Sequence, residues 1–273
     1  MSGAEILLQV DNLILDYALP RRRLFAPAPH HRALDDVSLT LARGESLAVV
    51  GESGSGKSSL ARAILALERP TTGRVTLLGR DVFALTAGEL RALRRHMQMV
   101  FQDPYGSLDP RRKVGWIIAE PLDALEQGVS ATERQARIAE ALQSVGLQPG
   151  DAAKFPHEFS GGQRQRVAIA RALITRPDII VADEAVSALD VSVQAQVLNL
   201  FMDLRESLGL SYLFISHDLA VVRQVADRVA VMRDGRIVEE GPVEDVFRDP
   251  QHAYTRALIE AVPRIGVPRR RRA

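Results

Sequence analysis

Residues Gly51–Ser58 read GESGSGKS, and their flanks decide the fold. Before them stands Ser46–Val50, a short apolar run of strand character. After them Ser58–Leu67 has helical composition and stops before Pro70. Strand, glycine-rich loop and helix form the setting in which G-x-x-x-x-G-K-[ST] cradles phosphates. Small residues let backbone N–H groups curl round the anion, and the following helix points its positive end at it. In this pattern Lys57 reaches the β- and γ-phosphates of a nucleotide, and Ser58 places its hydroxyl on Mg²⁺. The candidate cradle is Gly51, Glu52, Ser53, Gly54, Ser55, Gly56, Lys57 and Ser58, with Ser59 adjoining. From average residue usage, a chance match in a chain this long is on the order of one per cent.

A second element supports the first. Residues Ile179–Glu184 read IIVADE. An apolar strand that ends in two carboxylates is costly unless a cation or a proton manages the charge. Alone, the pair reads as an exposed strand end. Downstream of a phosphate loop, it reads as Asp183 holding Mg²⁺ and Glu184 acting as general base toward water.

Composition narrows the rest. Hydrophobic residues make up 46% of the 273, enough for a packed core. The formal net charge is +1, so no global attraction to nucleic acid is indicated. Basic residues cluster at Arg21–Arg23 and Arg269–Arg272. Such runs are usually solvated, and the alternative is contact with an anionic lipid surface. There is no cysteine, which excludes disulfides and iron–sulfur clusters. No stretch reaches the ~18 apolar residues of a membrane span, and the N-terminus turns polar too early for a signal peptide. The expectation is a cytoplasmic chain that serves a membrane, if at all, through a partner.

Strand-like and helix-like segments alternate, which predicts an α/β fold. Ile6–Val10, Leu13–Tyr17 and Val37–Leu41 read as strands, and Pro20–Pro29 as an exposed loop. From about Asp103 to Arg176 the periodicity is mostly helical, with Ala136, Ala139, Leu142 and Val145 on one face and Gly146 as a stop. Asp178–Ala182 and Tyr212–Ile215 suit a buried parallel sheet. Asp234-Gly235 between two short apolar runs predicts a hairpin.

One further element names a family. Residues Phe159–Gln163 read FSGGQ, followed by RQRVAIARAL. This resembles the LSGGQ signature of ABC ATPases, with Phe159 where leucine is commoner. Ser160, Gly161 and Gly162 open a helix whose N-terminus is a second anion site. The resemblance implies that this site, with Gln163, closes on the γ-phosphate held by an opposing subunit. It carries further roles in chain order. Gln102 in VFQDP resembles the Q-loop glutamine that senses Mg²⁺ and water and faces a transmembrane partner. Ser187–Asp190 resembles the D-loop, so that Asp190 reaches the opposite site. His217 in FISHD resembles the switch histidine on the γ-phosphate. Tyr17 falls where the family stacks an aromatic on adenine. The implied fold is a P-loop NTPase with a RecA-like core, an antiparallel β subdomain and a helical insertion. The implied organisation is an ATPase domain over 1–245, with the helical part about 103–176, and a tail over 246–273. The implied cofactors are ATP and Mg²⁺.

Local phrases refine the class. QMVFQDPYGSLDPRRKVGWIIAEPL from Gln98 and ADEAVSALDVSVQAQVLNL from Ala182 look like the peptide and nickel importer branch. VFRDPQHAYTRALIEAVP from Val246 resembles that branch's C-terminal motif, with Ala253 where proline is typical. The resemblance implies two transmembrane permease subunits, a second ATPase subunit, a solute-binding protein acting indirectly, and no nucleic-acid partner. A heterodimer is favoured over a homodimer. The solute, whether dipeptide, oligopeptide or nickel, touches no residue here. A nucleic-acid or ribosome ATPase of this family is disfavoured by a single phosphate loop and the lack of sustained heptads. An exporter would lack the tail, and a P-loop kinase would lack FSGGQ.

Overall fold

The structure is a computed structural model and describes residues 5–18, 30–103 and 106–261. The basic runs at Arg21–Arg23 and Arg269–Arg272, and the whole loop read at Pro20–Pro29, lie outside these residues. In chain order the elements are β1 (Ile6–Ala18), β2 (His30–Ala42), β3 (Ser46–Val50), α1 (Lys57–Ile64), β4 (Thr72–Leu77), β5 (Arg80–Asp81), α2 (Ala87–Arg94) and β6 (Met97–Val100). Then follow α3 (Val114–Leu125), α4 (Ala131–Ser144), two 3₁₀ turns, α5 (Gly161–Leu173), β7 (Ile179–Asp183), α6 (Val191–Leu208) and β8 (Ser211–Ser216). The described chain closes with α7 (Leu219–Val225), β9 (Arg228–Arg233), β10 (Arg236–Pro242), α8 (Val243–Arg248) and α9 (Ala253–Ala261).

Two sheets result. The first has the order β2-β1-β4-β5 and is antiparallel. The second has the order β10-β9-β3-β8-β7-β6, parallel except for β10 at its edge. The parallel strands are continuous apolar runs because both faces are covered. Their alternation assigns the two faces. Leu47, Val49, Ile179, Val181, Leu213 and Ile215 pack toward α1 and the antiparallel sheet. Ala48, Val50, Ile180, Ala182, Tyr212 and Phe214 pack toward α5, α6 and α7. The loops after β3, β7 and β8 therefore all emerge at one edge, where ligands of open α/β sheets bind.

Several sequence expectations shift in detail. Ile6–Val10 and Leu13–Tyr17 form one strand, bent at Asn12, which adopts a left-handed φ of 47°. The Asn12 side-chain amide donates to Asp36 at 2.8 Å across the bulge, a device open to asparagine. α1 starts at Lys57 and ends at Ile64, short of Leu67, because Ala66 turns left-handed with φ 51°. On α4, Ala136 is exposed. The buried stripe is Ile138, Ala141, Leu142 and Val145, an i, i+3, i+4, i+7 pattern, so Leu142 and Val145 are buried as expected while Ile138 and Ala141 take the places given to Ala136 and Ala139. Gly146 does end this helix: its φ is 73°, and Leu147 N–H returns to the Leu142 carbonyl at 2.9 Å. The hairpin stands as read, with Asp234 and Gly235 both at positive φ. Residue 245 falls inside α8, and Val243 and Val246 on either side share one buried cluster with Tyr254.

Candidate functional site

The loop Gly51–Gly56 leaves the buried end of β3 and feeds α1. A side chain at Gly51 would collide with the Met232 carbonyl oxygen, and one at Gly56 would come within 2.5 Å of the Ala33 carbonyl oxygen. These two glycines are thus required by close backbone approach as well as by the turn. The hairpin Asp234-Gly235 pins the loop from behind, where Gly235 N–H donates to the Ser55 carbonyl at 3.0 Å.

Lys57 is buried, and its ammonium donates to the carbonyls of Gly51 at 2.7 Å and Glu52 at 2.8 Å. Burial lowers its pKa, while Glu184 and Asp183 act in the opposite sense. Asp183, the last residue of β7, is pushed above the usual carboxylate range by burial and by its neighbour Glu184, with Lys57 pulling it back. A half-buried carboxyl raised in this way suits an oxygen-seeking cation. Among the described residues no group of three or more His, Cys, Asp and Glu could hold a metal by itself. Mg²⁺ in phosphate sites takes one or two protein oxygens, with the remaining ligands from phosphate and water. Ser58 and Asp183 are the candidates for that number.

Glu184 is the residue sequence reasoning could place but not shape. Its φ is 47°, left-handed for a non-glycine, at a cost of order 1–3 kcal/mol. The strain is held by hydrogen bonds on both sides. Glu184 N–H donates to Ile215 of β8 at 2.8 Å, and the Glu184 carbonyl accepts from Ser187 N–H and Oγ, both at 3.0 Å. The bend turns the carboxylate off the strand line toward the loop. There Glu184 Oε1 meets His217 Nδ1 at 2.9 Å. An ionised carboxylate only accepts, so Nδ1–H is the donor.

A pocket of about 230 Å³ gathers Tyr17, Ser53, Gly54, Gly56, Lys57, Ser58, Ser59 and Glu184, together with His31 and Ala33. Tyr17 Oη donates to Glu68 at 2.6 Å and lies 3.3 Å from Ser59 Oγ, which fixes its ring beside α1. His31 pairs with Tyr17 across β1 and β2, a placement the sequence could not show because residues 19–29 separate the strands.

Ser160, Gly161, Gly162, Gln163, Asp190 and Gln102 do not line this pocket. Ser160 caps α5 in a reciprocal box with Gln163: Ser160 N–H donates to Gln163 Oε1 at 3.0 Å. Gly161 and Gly162 form the first turn of that helix. Asp190 caps α6, accepting Val193 N–H at 3.0 Å and the Ser192 hydroxyl at 2.8 Å. A side chain at Gly162 would collide with Val193, so the two helix starts pack against each other. Gln102 is exposed, two residues beyond β6, outside the pocket.

Residues 34–187, more than half of the chain, match the family model described as ABC transporter. This chain belongs to the ABC transporter family. It is an ATPase subunit of that family, with the mixed α/β fold of its nucleotide-binding domain. Residues 238–273 match a second model, described as Oligopeptide/dipeptide transporter, C-terminal region. The chain is 53% identical to a probable peptide ABC transporter ATP-binding protein of Sinorhizobium fredii, over 95% of this chain and 73% of that one. It is 52% identical to the dipeptide transport ATP-binding protein DppF of Haemophilus influenzae, over 92% of this chain and 76% of that one. Among solved structures, the dimeric post-hydrolysis state of the ATP-binding cassette MJ0796 bound to ADP and Pi aligns with a TM-score of 0.75. That pair shares 32% identity, over 87% of this ABC chain and 99% of the other. No described helix of the chain is long and apolar enough to cross a membrane.

Proposed function

We propose that this chain is the ATP-hydrolysing subunit of a peptide importer, working at the cytoplasmic face of the membrane on two permease subunits. The observation that carries the solute class is the match of residues 238–273 to the oligopeptide/dipeptide transporter C-terminal region. The relatives' names point the same way. The proposed complex pairs this ATPase with a second one, a heterodimer by preference, and receives solute from an extracytoplasmic binding protein.

In the proposed cycle the loop Gly51–Ser59 and Lys57 hold the phosphates, and Tyr17 stacks on adenine. Mg²⁺, which Ser58 and Asp183 would hold and Gln102 would sense, would neutralise charge on the phosphates. Glu184 takes the proton of a water as that water's oxygen bonds to the γ-phosphorus and the bond to the β-phosphate oxygen breaks. His217 holds the Glu184 carboxylate in place through Nδ1–H and reaches the γ-phosphate from its other face. Ser160–Gln163 and Asp190 lie off the pocket in a single chain. They serve the opposite site in the dimer, where the positive end of α5 meets a γ-phosphate. ATP thereby joins two subunits, and its hydrolysis releases them.

The test is uptake of labelled dipeptides, oligopeptides and nickel by cells carrying either the native chain or Lys57→Ala. The expected result is peptide uptake reduced to background in the variant with nickel uptake unchanged. Loss of nickel uptake alone would move the solute class, and no change in any uptake would remove the transport role.

A further inference from the structure

The phosphate loop is held by a residue that none of the ATPase motifs contains. Glu52 N–H donates to the Tyr254 hydroxyl at 3.0 Å, across 202 residues of chain. Tyr254 lies in α9 and is 8% exposed. Its ring is braced on its own account, with the Arg233 guanidinium carbon 4.9 Å from the ring centroid. α9 is anchored twice more. The Glu239 carboxylate on β10 accepts the N–H groups of Gln251 at 2.7 Å and His252 at 3.0 Å, just before the helix begins. Leu258 and Ile259 then pack near Val50, the residue that leads into the loop. The helix therefore stays in place without help from the tyrosine hydroxyl.

What the hydroxyl adds lies on the loop side. Glu52 is held through both of its peptide groups. Its N–H goes to Tyr254, and its carbonyl accepts the Lys57 ammonium at 2.8 Å and Ser55 N–H at 3.2 Å. Tyr254, Glu52 and Lys57 form a chain of contacts from the C-terminal helix to the cation that faces the phosphates. A loop fixed before the ligand arrives loses less conformational freedom on binding. We propose that Tyr254 is a positioning residue for ATP, through which the C-terminal segment sets nucleotide affinity by ordering Glu52 and Lys57. This rests on the reading of Gly51–Ser59 as the ATP site.

The test compares the native full-length chain with Tyr254→Phe, which keeps the ring, the Arg233 stacking and the packing of α9. Binding of ATP with Mg²⁺ is measured by calorimetric titration, and KM, kcat and Tm are measured alongside. The expected result is a rise in Kd and KM of about two- to tenfold, the range of one ordinary hydrogen bond, with kcat and Tm unchanged. Unchanged Kd and KM would overturn the proposal, and so would a weakened Kd accompanied by a marked fall in Tm. Failure of the native chain to bind ATP would instead overturn the reading of the site.

Discussion

Glu184 Oε1 stands 2.9 Å from His217 Nδ1, each residue one step past the end of its strand, on neighbouring parallel strands β7 and β8. The pair exists because the left-handed turn at Glu184 aims its carboxylate sideways. Replacing Glu184 by Gln keeps size and polarity and removes the base. Glu184→Gln is therefore expected to bind ATP within about threefold of the native chain while kcat falls by at least ~100-fold, the usual share of a general base. Steady-state hydrolysis and an ATP titration check both parts.

Lys57 donates to two loop carbonyls from a buried position. Lys57→Ala removes the charge that meets the phosphates. ATP affinity should fall by about tenfold or more, in line with the loss of a charge-assisted hydrogen bond. Unchanged affinity in a titration would contradict the cradle.

Gly162 has no room for a side chain because Val193 fills the space at the start of α6. Gly162→Ala should therefore cost roughly 1–3 kcal/mol as an overpacked contact. Adding Val193→Ala should recover most of that loss. A double-mutant cycle by denaturant unfolding reads the coupling directly.

Much of this architecture is legible in the sequence, for reasons particular residues make clear. Ser46–Val50 and Ile179–Asp183 announce themselves because a strand covered on both faces must be apolar throughout. The pocket brings part of the loop together with Tyr17 and Glu184, whereas the Glu184–His217 bond is seen only in the structure. What the sequence hides is set by tertiary contact. Nothing in glutamate favours the left-handed turn at Glu184; hydrogen bonds from Ser187 and to Ile215 impose it. On the α4 stripe Leu142 and Val145 are buried as expected, but Ala136 and Ala139 are not, because alanine tolerates exposure as readily as burial, whereas Ile138 does not. Tyr254 falls in the C-terminal motif by sequence, but only the structure puts its hydroxyl on Glu52.

The C-terminal helix carries a local prediction of its own. Ala253 is the first residue of α9, a position whose N–H has no partner within the helix. Proline there removes nothing and presets φ. Ala253→Pro should stabilise the chain by about 0.4–1 kcal/mol, seen as a raised Tm.

Asp178, just before β7, pairs with Arg43 just after β2 and with His96 just before β6. Burial alone would raise its pKa, but hydrogen bonds from Arg43 at 2.7 Å and with His96 at 2.7 Å hold the carboxyl below the usual range. A depressed carboxyl stabilises the fold above its unfolded pKa of about 4, and that stability is lost as pH falls through the lower folded value. Asp178→Asn should therefore be less stable than the native chain at pH 7, with the gap narrowing below about pH 4. Unfolding curves across pH 2–7 would show this.

The central claim is that this ATPase moves a membrane partner. The most direct measurement is to isolate the Glu184→Gln chain from native membranes in mild detergent with ATP and identify what comes with it. The account predicts two polytopic permease subunits and a second ATPase. Recovery of ribosomal or DNA-bound proteins with no permease would contradict it.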